Sequence, residues 1–138
     1  MTKRSIFDIS INSIDGSPNL LDSVRGKVCL FTNIATKAGY TPKCSPVWSY
    51  ARAARQLWEL QVLHEMFEDK GFTVVAFPCN QFSEMDPMGN EEIAKFVSEA
   101  YPFVTFPITE KIDVNGPNEH KTWSFMKGDT VRSFDDNK

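Results

Sequence analysis

The apolar positions of the chain fall into two kinds of pattern. Val28 to Ala35 and Phe72 to Phe77 are mostly apolar runs introduced by Gly26-Lys27 and Gly71; the first predicts a strand covered on both faces and the second a further strongly apolar strand, stopped by Pro78. Between them Val47, Tyr50, Ala51, Ala54, Leu57, Trp58, Leu60, Leu63, Met66 and Phe67 recur at helical spacing, while Arg52, Arg55, Glu59, Glu65, Glu68 and Asp69 fill much of the remainder. That pattern predicts a long helix from Ser45 as N-cap, with Pro46 at its first position, to about Lys70, ended by Gly71 as a C′ glycine. Strand, helix and strand in this order make residues 28–77 a βαβ unit with a right-handed crossover, which places the chain in the α/β class.

The flanking segments are less regular. Residues 6–11 alternate loosely and run into the turn formers Asn12 to Pro18, a pattern that predicts a short strand or hairpin arm. Asn90, with Glu91 and Glu92 behind it, predicts the capped start of a helix through Val97. Phe103 to Ile112 reads as a further strand, but Pro107 inside it forbids a ladder bond and makes it an edge, a bend or a cis-proline turn. Asn118 to Lys127 reads as a last helix, and residues 128–138, polar and without an apolar period, as a frayed tail.

Composition excludes more than it selects. With 138 residues, 41% of them apolar, the expectation is a single domain over residues 1–138. Fifteen basic residues against 18 acidic ones leave a formal charge of −3, so no broad positive field exists for a phosphate backbone or an anionic bilayer, and nucleic acid is not an expected partner. Asp8 and Ser10 interrupt any signal-like run after the basic opening, and no stretch reaches the roughly 18 apolar residues of a membrane span. The expected location is cytoplasmic.

Cys29, Cys44 and Cys79 are odd in number and widely spaced, which fits neither a disulfide framework nor a CxxC site and predicts reduced thiols. His64 and His120 are too few for a metal cluster, so neither a metal nor a bound cofactor is expected. His64 reads as a solvated or locally hydrogen-bonded residue beside Glu65, opposite much of the apolar set.

Three segments taken in order, Asn33 to Thr41, Gly71 to Phe82 and Lys111 to Gly116, resemble the glutathione peroxidase family, and the hexapeptide Phe77-Pro78-Cys79-Asn80-Gln81-Phe82 is the most specific of them. The similarity extends from Ser5 to about Lys127. It implies a thioredoxin-like fold with a central mixed β-sheet flanked by helices. It also implies reduction of hydrogen peroxide and organic hydroperoxides, in the oxidative-stress response, with glutathione or thioredoxin as reducing co-substrate. In that chemistry a cysteine or selenocysteine at a helix N-terminus is kept ionised by the helix dipole, is oxidised by the hydroperoxide, and is re-reduced by thiol exchange.

The resemblance also marks departures. The family nucleophile falls on Ala38, which has no ionisable or redox-active atom, whereas Gln81 matches the glutamine whose amide bonds the nucleophile and the departing oxygen. The family's Trp-Asn-Phe segment has no counterpart here, which implies a C-terminally truncated chain, a sheet with an unpaired edge, and self-association through that edge. Ser83 to Pro87 stands where the family usually has a site-lining Gly-Gly-Gln-Glu-Pro loop, and Ser98 where thioredoxin-dependent members carry a resolving cysteine, so the electron donor stays open. The first helix is longer than the family's by roughly three turns, about 16 Å, with the extra sequence placed in residues 42–56.

Among the remaining candidates, Cys44 lies beside Lys43 and one residue before the proposed cap, conditions that lower a thiol pKa, so it is a surrogate nucleophile or an ordinary loop cysteine. Cys29 and Cys79 read as framework. Arg52 and Arg55 are a pair for the carboxylates of glutathione or a solvated helix face. The resulting expectation is a peroxidase by family whose chain is impaired at Ala38. Its alternative is a non-enzymatic pseudo-peroxidase that acts by binding a partner.

Overall fold

Gly71 is the point at which the helical pattern gives way to the second strand, and its backbone takes the left-handed conformation (φ 84°) that glycine adopts without strain. In the computed structural model, which describes residues 5–36, 51–81, 84 and 86–130, a 3-10 turn (Glu68–Lys70) joins the helix to that glycine. The described elements are α1 (Leu20–Ser23), β1 (Val28–Ile34), α2 (Ala51–Phe67), β2 (Phe72–Pro78), α3 (Asn90–Ala100) and α4 (Lys121–Thr130). β1 and β2 pair in parallel, in register from Val28 opposite Phe72 to Ile34 opposite Pro78, which is the predicted strand–helix–strand unit.

Alternation along β2 divides the core between the two sheet faces. Val74 and Ala76 pack with Ala53, Leu57 and Leu60 of α2 and Ile93 and Val97 of α3. Val75, Phe77 and Cys79 pack on the other face with Ile11, Leu20, Leu21, Val24, Ile112 and Val114. Beyond β2, Ile108 bridges Ala76 in parallel, and the next residue, Thr109, bridges Ser13 antiparallel.

Several expectations are corrected. Residues 6–8 form a 3-10 turn, with Ser5 Oγ accepting from Phe7 N at 3.2 Å, and the predicted N-terminal strand is absent. Residues 103–112 make only isolated bridges, because Pro107 and the bend before it break the ladder, and no cis peptide bond occurs among the described residues. Gly89, not Asn90, occupies the cap position of α3; the Asn90 side chain instead accepts from Lys111 N at 2.8 Å. α4 continues through Gly128 to Thr130, so the tail does not begin at residue 128.

The largest correction concerns which faces are buried. β1 is not covered on both faces: Val28 is 72% exposed and Leu30 37%. On α2, Trp58, Leu63, Met66 and Phe67 are exposed, and the buried stripe is Ala53, Leu57, Leu60, Gln61 and His64. His64 is therefore a buried residue, not a solvated one. Its Nδ1 accepts the N–H of Val74 at 3.3 Å and its Nε2 lies 2.7 Å from Glu68 Oε2, so the ring closes a backbone donor on the free side of β2. Gln61 does the same for the next segment, accepting from Thr105 N at 2.9 Å and donating to Thr105 Oγ1 at 2.7 Å.

Candidate functional site

Parallel strands direct their C-terminal ends to one side, and loops at that side are where α/β folds build sites. Here the chain leaves β1 toward Thr36 and leaves β2 toward Cys79, Asn80 and Gln81, with Cys79 N donating to Ile34 O at 3.0 Å across the two exits. Gln81 is fixed from the opposite loop. Its Oε1 accepts from Val114 N at 2.8 Å and Asn115 N at 3.0 Å, and its Nε2 donates to Asn115 O at 2.7 Å. The thiol of Cys79 adds a 3.4 Å contact to the same oxygen. An amide nitrogen has two protons, and among the described residues only one proton of exposed Gln81 has a partner.

The turn that grips Gln81 is itself held from α4. Lys127 Nζ donates to Val114 O and, at 2.7 Å, to Asn115 Oδ1, and it pairs with Glu119. That ammonium, joined by the Ser124 hydroxyl, holds the Glu119 carboxyl below its usual range. His120 sits just before α4 and its Nδ1 accepts the Thr122 N–H at 3.2 Å, a side-chain cap for the helix. Burial keeps its pKa below 6.5, with Lys121 acting in the same direction and Glu110 opposing.

On the β1 side the loop is anchored by Asp86, which is fully buried and accepts from both Thr36 N and Thr36 Oγ1. Asn80 Oδ1 in turn accepts from Asp86 N at 3.0 Å. Thr36 lies in the family segment Asn33 to Thr41 and Asp86 in the altered Ser83 to Pro87 loop, but nothing local in the sequence pairs the two.

Of the residues singled out by sequence, Gln81 stands at this end of the sheet, while Ala38, Cys44 and the helix start at Ser45 and Pro46 lie outside the described residues. Cys79 is buried against the inner face of β2, and Cys29 is half-buried on β1, where burial pushes its thiol pKa up, so both read as framework. Arg55 is exposed and pairs with Glu59 at 3.1 Å along its own helix. Trp123 packs edge-on against Phe77 at 5.7 Å. A cleft of about 450 Å³ between the N-terminal turn and α4, lined by Asp8, Lys121 and Ser124, includes none of the residues around Gln81. No cluster of three or more metal-ligating side chains occurs among the described residues.

Comparison with known proteins agrees with this layout. A hydroperoxy fatty acid reductase of Synechocystis sp. is 43% identical over 123 residues, which is 89% of this chain and 64% of the relative. A glutathione peroxidase-like peroxiredoxin of Saccharomyces cerevisiae is 44% identical over 112 residues, 81% of this chain and 60% of its own length. The chain thus spans under two thirds of the length of these two relatives. Among solved structures, the crystal structure of T. cruzi GPX1 superposes with a TM-score of 0.60 at 30% identity, covering 92% of this chain and 67% of that one. These neighbours share the thioredoxin-like fold. With the glutathione peroxidase family model matching residues 6–127 as well, the chain belongs to the glutathione peroxidase family.

Proposed function

We propose that this chain is a thiol-dependent hydroperoxide reductase scaffold in which the first chemical step is silenced at Ala38. In the family reaction a thiolate or selenolate attacks the peroxide oxygen and the O–O bond breaks. The alcohol or water departs, and the nucleophile is left as a sulfenic or selenenic acid. Two equivalents of thiol reductant then return it to its starting state, releasing water and a disulfide. Alanine offers no lone pair for the attack. The observation that carries the reading is Gln81, whose carbonyl is saturated by the 114–115 turn and whose amide has one proton without a partner among the described residues.

The names of the relatives, a hydroperoxy fatty acid reductase and a peroxiredoxin, support hydroperoxides as the substrate class. Glutathione and thioredoxin are the proposed reductants, and Ser98, exposed on α3 with its hydroxyl on Lys95 O, supplies no resolving thiol. Oxidative-stress defence in the cytoplasm is the setting proposed with that chemistry; among the described residues no helix is long and apolar enough to cross a membrane. The test is hydroperoxide consumption by the purified chain, with glutathione and separately with thioredoxin, beside a Cys44→Ser control. Turnover no greater than that of free thiols supports a silenced peroxidase. Turnover that disappears in the control moves the nucleophile to Cys44.

A second reading, a non-enzymatic binding role through self-association, is favoured by the outer edge of β1. Val28 N donates to Gly71 O, so alternate residues of β1 face β2 and the backbone groups of Cys29, Phe31 and Asn33 face outward. On that edge Thr32 Oγ1 donates to Asn33 O, and no other partner is present among the described residues. Neither a charged residue nor a proline lies between Val28 and Ile34 to block pairing with a second strand.

A further inference from the structure

Carboxylates are rarely buried without a task, and Asp86 is buried completely. Both of its oxygens serve one residue: Oδ2 accepts the Thr36 N–H at 3.1 Å and Oδ1 the Thr36 hydroxyl at 2.7 Å. The remaining backbone group of Thr36, its carbonyl, accepts the hydroxyl of buried Tyr101 at 2.7 Å. Asp86 is tied in the other direction as well, its N–H to Asn80 Oδ1 at 3.0 Å and its carbonyl to Lys111 Nζ at 3.3 Å. Asn80 precedes Gln81 directly, and Thr36 lies two residues before position 38.

We propose that Asp86 is a positioning residue that locks the chain leaving β1, at Thr36, to the segment that carries Asn80 and Gln81. The inference rests on the peroxidase reading and names one further residue that reading requires. Hydrogen bonds to an ionised acceptor are about twice as strong as neutral ones, and a buried donor left without its acceptor is costly, so the Thr36 clasp does not open readily. Asp86 acts through its bonds to Thr36 and Asn80, which makes it a positioning residue.

The test uses the full chain with Ala38→Cys and Cys44→Ser, to which Asp86→Asn, Asp86→Glu or Thr36→Val is added. Two rates are followed by peptide mass spectrometry for the thiol introduced at position 38, oxidation by tert-butyl hydroperoxide and alkylation by iodoacetamide, together with amide exchange at Thr36. Asp86→Asn should lower the ratio of oxidation to alkylation and speed exchange at Thr36, each by roughly tenfold, the size of one lost charged hydrogen bond. Asp86→Glu should restore much of the ratio. Thr36→Val, which removes one bond at nearly constant shape, should lower it by about threefold and keeps the test informative if Asp86→Asn fails to fold. Loss of fold alone would raise exchange everywhere and would not separate the two rates. An unchanged ratio in both Asp86→Asn and Thr36→Val overturns the inference. A parent double variant whose introduced thiol reacts with hydroperoxide no faster than free cysteine overturns the peroxidase reading itself, whatever Asp86 does.

Discussion

β1 and β2 are parallel neighbours of equal length and similar apolar content, yet the molecule treats them differently. Every residue of β2 after Phe72 is buried, Val74 and Ala76 toward α2 and Val75 and Phe77 toward the N-terminal layer. β1 is buried fully only at Ile34. The apolar run therefore encodes a strand but not its rank in the sheet. What makes β2 central is the material on its far side: His64 on Val74 N, Pro107 O on Ala76 N, and the bridge at Ile108. Equivalent cover is lacking on the outer side of β1 among the described residues.

The widest gap between the strands should appear in stability. Phe77→Ala removes a buried ring that meets Phe31 and Trp123 edge-on, and should cost about 3–5 kcal/mol in chemical denaturation. Val28→Ala should cost no more than about 0.5 kcal/mol. Equal costs would mean that the outer side of β1 is covered in solution. Leu30→Lys should then sharpen the contrast from the other direction, since a charge on an open edge blocks pairing. If β1 associates with a second copy, sedimentation should show the concentration-dependent species lost in this variant, with thermal stability changed little. A monomeric parent chain would remove the second reading.

A smaller effect concerns the turn that grips Gln81. His120 is depressed below 6.5 in the folded chain by burial. Below about pH 6.5 the unfolded chain takes up a proton that the folded one resists, so this contribution to stability is present near neutral pH and falls as the pH drops toward the folded value. His120→Asn, which keeps a cap acceptor for the Thr122 N–H, should flatten the stability profile between about pH 7 and 5. An unchanged slope would assign the acid sensitivity to other groups.

The layout that frames the site was legible because it rests on local signals. Gly71 ends the helix as its sequence context requires, Asn90 and the acids behind it mark α3 to within a cap position, and the Phe77–Phe82 hexapeptide places Gln81 at the end of β2. The rest depends on contacts between distant segments. α2 is apolar around most of its circumference, so periodicity did not reveal that Gln61 and His64 face inward while Trp58 and Met66 face solvent. The resemblance puts Asp86 in an altered site-lining loop, but its bond to Thr36, 50 positions away in sequence, leaves no local signal.

The central claim is that the scaffold around Gln81 is competent and that position 38 alone withholds the first step. Stopped-flow oxidation by hydroperoxide, with the sulfenic acid trapped and located by mass spectrometry, compares the chain with its Ala38→Cys variant, both carrying Cys44→Ser. The account predicts no fast phase in the parent, and in the variant a fast phase that labels the new thiol at position 38 well above the rate of free cysteine. A variant that reacts no faster than free cysteine, or a parent that already shows the fast phase, would contradict it.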